Sequence, residues 1–152
     1  MTSHKKYGAA LILATIACCL CLLGAVALAA VLPQGATAYL SDHEPRLMEH
    51  ITYIIAMLYV AIVIAVAVLV LLLLLLRVVH REQIFTPVSG RLVTAIALLV
   101  ILEGLVFGLL GLVYPPAVAV MFVAVTMGLC FLVVSRVLAE ATAIKSENDA
   151  TI

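Results

Sequence analysis

Arg77-Val-Val-His-Arg-Glu-Gln-Ile-Phe-Thr-Pro-Val-Ser-Gly-Arg91 is a polar break in the middle of a chain that is otherwise almost all hydrocarbon. It carries three of the eight Lys and Arg residues and divides the sequence into two hydrophobic halves. Just before it, Ile51–Leu76 runs without a charge; just after it, Leu92–Val113 contains one charged residue, Glu103. The whole chain is 67% hydrophobic and 11% charged, whereas a soluble domain is about half apolar and about a quarter charged. Such a chain has too little polar surface to be wetted, and the bilayer is the solvent it suits. A run of about 20 apolar residues crosses the ~30 Å hydrocarbon core. With no water there to satisfy backbone groups, a lone span must be helical, even when rich in Val and Ile.

Outward from the centre, the pattern gives four spans. The first covers about 8–31, after the short basic segment Met1–Lys6. Lys5-Lys6 and Ala36-Thr37-Ala38 together imitate a signal peptide with its cleavage site. The apolar stretch between them is longer than the roughly 7–15 residues of a signal core, so a retained helix is expected. Pro33 and Gly35 are expected to stop this helix and open a polar loop over Pro33–Glu49. Ser41 or Asp42 is expected to cap a short helix there, with Pro45 near its start. The second span covers 51–76. Thr86-Pro87 reads as the start signal of the third helix, whose span covers 92–113. Tyr114-Pro115-Pro116 is a tight turn that makes spans three and four antiparallel neighbours. The fourth span is 117–135. Val137, Leu138, Ala141 and Ile144 follow at helical spacing in the tail 136–152, so that helix is expected to continue to about Lys145 and then fray. The expected fold is all-α: one membrane domain over 1–152, with four transmembrane helices in an antiparallel bundle.

Charge sets the expected orientation. With both termini cytoplasmic, the inner side holds Lys5, Lys6, Arg77, Arg81, Arg91, Arg136 and Lys145, and the outer side holds Arg46 alone. Short loops with this asymmetry follow the positive-inside rule. Tyr39, Tyr53 and Tyr114 fall near the outer interface and Tyr7 near the inner one, as in an aromatic belt. The formal net charge is zero, so the total points to no acidic or basic partner, and no direct nucleic-acid binding is expected.

Few residues offer chemistry. Glu103 is the one carboxyl inside a span, where an ionisable group costs at least ~2.5 kcal/mol and should face protein or water. Thr126 and Cys18 lie at similar depth, and Tyr59 somewhat further out. These four form either a proton or cation site or a set of helix-packing hydrogen bonds. Gly104, Gly108 and Gly111 form a small-xxx-small face, with Gly128 on the fourth helix as its expected partner. Such a face packs helices within a chain or between chains. Cys18, Cys19, Cys21 and Cys130 all lie in apolar runs with no zinc spacing and read as packing residues. Asp42, His43, Glu44, Glu49 and His50 have metal-ligand chemistry but no fixed spacing, and read as a solvated acidic loop. No phosphate loop, HExxH or nucleophile elbow is present. Neither an enzyme nor a bound cofactor or metal is expected.

Phe85-Thr-Pro87 in the central break and Ile144-Lys-Ser-Glu-Asn-Asp-Ala-Thr-Ile152 at the end resemble a bacterial family of small four-helix membrane proteins of unknown function. Its members carry a Phe-Ser/Thr-Pro element between spans two and three and end in Glu-Asn-Asp-Leu-Thr-Val/Ile. Ala150 stands here where leucine is usual. Members are often encoded beside a small helix-turn-helix regulator of the Cro/C1 type. The resemblance implies a protein of the bacterial cytoplasmic membrane that tethers or silences such a regulator. The contact residues would be Phe85, Thr86, Pro87, Glu147, Asn148 and Asp149. Capping of helices three and four is the structural alternative for the same residues. A transporter, channel or immunity-type protein centred on Glu103, or an accessory subunit packed through the glycine face, are the other readings.

Overall fold

The computed structural model describes residues 2–81 and 84–151, with side chains from residue 8 onward. The side chains of His4, Lys5, Lys6 and Tyr7 therefore lie outside the described residues. Four long helices make up the chain: α1 (Thr2–His43), α2 (Ile51–His80), α3 (Pro87–Leu110) and α4 (Ala117–Thr151). A short 3-10 helix, Pro45–His50, joins α1 to α2. All four long helices are long and apolar enough to cross a membrane.

The helices pack in series, each against its neighbour in sequence, and α1 makes no close backbone approach to α3 or α4. The facing pairs are antiparallel throughout. Tyr59 of α2 meets Ala29 of α1, and Tyr53 meets Leu109 of α3. Gly104 of α3 meets Ala124 and Val125 of α4. Both termini and the α2–α3 loop therefore share one end of the molecule. The 3-10 helix and the α3–α4 turn share the other.

Pro33 and Gly35 do not end the first helix: α1 continues through both to His43. Ser41 and Asp42, expected as caps, are inside it, and the short helix that follows is preceded by Glu44. The physical reason is a continuous packing stripe. Leu22, Ala25, Ala29, Leu32, Ala36 and Leu40 are the less exposed positions, three or four residues apart, and they run past the proline without a change of step. Pro33 has no N–H to give the Ala29 carbonyl four residues back. Tyr59 of α2 replaces it, its hydroxyl donating to that carbonyl at 2.9 Å. A membrane helix tolerates proline when a neighbour re-satisfies the freed backbone group.

The remaining ends follow local chemistry. Pro87 is the first residue of α3 and Thr86 precedes it in extended conformation, so the start signal lies where expected. The Thr86 side chain does not cap the helix. Ser89 holds this corner instead: only 1% exposed, it places its hydroxyl 2.8 Å from the Thr86 carbonyl and also against that of Ile84. At the other end, Pro115 and Pro116 cannot donate backward, and Tyr114 N–H closes α3 on the Leu110 carbonyl at 2.8 Å. The helix α4 does not fray near Lys145 but runs to Thr151. Threonine and serine hydroxyls bond back along it, as Thr142 does to Leu138 and Thr151 to Glu147.

The α3–α4 pair is the tightest. A Cβ on Gly104 would sit 2.9 Å from Val125 Cγ2 and 3.2 Å from Ala124 Cβ. One on Gly108 would meet Met121 Sδ at 2.7 Å. Gly128 closes the seam further along, where a Cβ would press on Ile101 and lie 3.0 Å from the Ala97 carbonyl oxygen. The four glycines thus serve contact within the chain, backbone against side chain at distances that only a missing Cβ allows.

Candidate functional site

The intramembrane polar residues do not gather. Glu103 is half-buried, on the strip of α3 between Leu99 and Val106, which packs against Ala61, Ile64 and Val68 of α2. Among the described residues it forms no hydrogen bond or ion pair. Cys18 is buried on the packed stripe of α1, and the Tyr59 hydroxyl is committed to Ala29 on the α1–α2 seam. Thr126 is exposed on α4, beside the face that meets the glycines. The four residues are thus divided among three places. Series packing keeps α1 and α4 from closing around Glu103.

At the end that holds the 3-10 helix, His43 stacks on Tyr39 with ring centroids 4.7 Å apart, and Asp42, Glu44, Glu49 and His50 are exposed. Among the described residues no three His, Cys, Asp or Glu side chains gather into a cation site. Tyr114 is half-buried there against Leu40, Ile54, Leu110 and Ala117. Burial pushes its phenol above the usual value, helped by Tyr39 and Glu44 nearby. The four cysteines are free thiols.

The opposite end is where separate parts of the sequence converge. Phe85, Thr86 and Pro87 enter one wall of an open groove of about 930 Å³, and Asp149 of the tail enters the other. The walls are the first half of α3, to Leu98, and the second half of α4, from Leu132. Lys145 places its Nζ 5.9 Å from the centre of the Phe85 ring, a cation–π distance. This contact joins the Phe-Thr-Pro element to the tail helix. Glu147 and Asn148 are exposed on the same last turns, outside the groove. Of the six residues expected to dock a partner, four thus line one groove and two face solvent beside it.

Two arginines that motif reasoning left among the general basic residues also line this groove: Arg91 of α3 and Arg136 of α4. They enter it from adjacent antiparallel helices. Gly111 faces Val118, Gly108 faces Met121 and Gly104 faces Val125, and the same step carried on sets Arg91 opposite Leu138, so Arg136 lies about 3 Å from level with it along the axes. Ser89, which fixes the loop, was also missed. A serine two residues after Thr-Pro, aimed back at the start of its own helix, is the signal that would have found it.

No curated protein and no solved structure matches the chain. One family model does, that described as "Protein of unknown function (DUF2975)", over residues 34–152. Those residues hold the end of α1, the other three long helices, the Phe-Thr-Pro loop and the groove, and on that match the chain belongs to this family of unknown function.

Proposed function

We propose that the protein is a non-enzymatic component of the bacterial cytoplasmic membrane, both termini inside, that holds a small cytosolic regulator of the helix-turn-helix type. The observation that carries this reading is the meeting of Phe85-Thr86-Pro87 with Lys145 and Asp149 at one end of the molecule. Two segments far apart in sequence build one surface, and Glu147 and Asn148 stand exposed on its rim. Seven of the eight basic residues lie toward this end and Arg46 lies at the other, which supports a cytoplasmic setting. The regulator itself is inferred from the neighbourhood that the resemblance implies.

In-cell crosslinking followed by affinity purification tests the reading. The intact chain is compared with one truncated after Ala143 and with Glu147→Lys/Asn148→Ala. The intact chain is expected to retain a helix-turn-helix protein and both variants to lose it while still inserting. Capture of that protein at equal yield by all three would sink the proposal. A transport or channel role centred on Glu103 draws less support, because Cys18, Tyr59 and Thr126 lie on other seams. An accessory-subunit role would need a face other than the glycines, which α3 and α4 already use.

A further inference from the structure

The geometry points to the Arg91–Arg136 groove as a binding site for one anionic phospholipid. The phosphate would lie between the two guanidinium groups, and an acyl chain would lie along the wall below them.

Four observations carry this. Arg91 and Arg136 line the same groove from adjacent antiparallel helices, and among the described residues neither forms an ion pair or hydrogen bond with the protein. Lys145 adds a third cation at the mouth, steered by the Phe85 ring, against the single carboxylate of Asp149. Like charges lining one groove repel, and a multivalent anion relieves that cost; an arginine fork matches phosphate oxygens in pairs. The same groove continues to Leu98 and Leu132, which lie roughly 10 Å and 6 Å further along their helices at 1.5 Å per residue. Those leucines belong to the membrane-crossing segments. A charged rim at the interface above an apolar wall fits an amphiphile oriented as a bilayer lipid is. A soluble anion would leave the wall unused, and an apolar ligand would leave the arginines unpaired.

The site goes beyond the regulator reading and does not rest on it, since Glu147 and Asn148 lie outside the groove. It also differs from diffuse attraction of basic residues to an anionic leaflet. That attraction would involve Arg77 and Arg81 equally, whereas the groove selects Arg91 and Arg136.

Native mass spectrometry on the full detergent-solubilised chain reads this directly. The chain is titrated with phosphatidylglycerol, phosphatidylcholine and free glycerol phosphate. Each basic group near an anionic headgroup is worth about five-fold in affinity, so Arg91→Gln/Arg136→Gln should weaken phosphatidylglycerol binding about 30-fold. Arg77→Gln/Arg81→Gln, at the same end but outside the groove, should change it less than about three-fold. Leu98→Trp keeps every charge and alters a side chain that is 56% exposed, so the fold should hold while the acyl wall is blocked and phosphatidylglycerol binding drops. Equal binding of the two lipids, equal loss in both arginine pairs, no loss with Leu98→Trp, or glycerol phosphate binding as tightly as the lipid would each overturn the proposal.

Discussion

Replacing Tyr59 by phenylalanine removes one oxygen atom and isolates the most unusual feature of α1. Pro33 deprives the Ala29 carbonyl of its helical donor, and the Tyr59 hydroxyl supplies one at 2.9 Å. The phenyl ring left by Tyr59→Phe would fill the same space, so the cavity cost is negligible and the change reads the hydrogen bond. Stranding a carbonyl where water cannot replace the lost donor costs about 1–3 kcal/mol. Interhelical hydrogen bonds in membranes average ~0.6 kcal/mol and reach ~1.7, because an unfolded helix in lipid finds other partners. Here the proline withholds the usual internal partner in every state, so the upper part of that range applies and we expect a loss of about 1–1.5 kcal/mol. Pro33→Ala restores the N–H, and in that background Tyr59→Phe should cost only a few tenths of a kcal/mol, giving a coupling of about 1 kcal/mol in the double-mutant cycle. Reversible unfolding in mixed detergent–lipid micelles, followed by circular dichroism, measures all four corners. An equal cost of Tyr59→Phe with and without Pro33 would refute the reasoning.

The glycine seam gives a graded prediction. Gly128→Ala forces a Cβ against Ile101 and the Ala97 carbonyl, which cannot swing aside, so α3 and α4 must separate at a cost of about 1–3 kcal/mol. Gly108→Ala meets the flexible end of Met121 and should cost less than half as much in the same unfolding assay; equal costs would show that the seam is not backbone-limited. Tyr114 gives a pH dependence. Its folded-state pKa lies above the unfolded value, so its contribution is complete below about pH 10 and is lost as pH rises through the folded value. Wild type should therefore lose stability in strong alkali more steeply than Tyr114→Phe, with phenolate absorbance tracking the loss, and parallel curves would remove Tyr114 as the cause.

The family resemblance rested on Phe85-Thr-Pro87 and the tail, and the family match covers both. Neither motif revealed that it faces the other, because the contact depends on α4 staying helical to Thr151. A terminal segment read alone is expected to fray; here α4 continues past the Lys145–Phe85 contact to Thr151. The candidate intramembrane set was legible as residue types at a depth but not as a site. Depth follows from position along a span, whereas proximity depends on which seam each residue faces.

Composition and apolar run length determined four helical spans by themselves, since hydrocarbon leaves a lone backbone segment no other way to satisfy its polar groups. Tyr114-Pro115-Pro116 and Thr86-Pro87 likewise marked their boundaries, because proline acts through its own ring and missing N–H wherever it stands. Pro33 was different. Whether it ended α1 depended on a donor for the Ala29 carbonyl, and Tyr59 of another helix provides it. The meeting of Arg91 and Arg136 in one groove was decided the same way, by the packing of α3 against α4 along Gly104, Gly108, Gly111 and Gly128. Local sequence governs what a residue does to its own backbone; what a second helix brings alongside is settled only when the two pack.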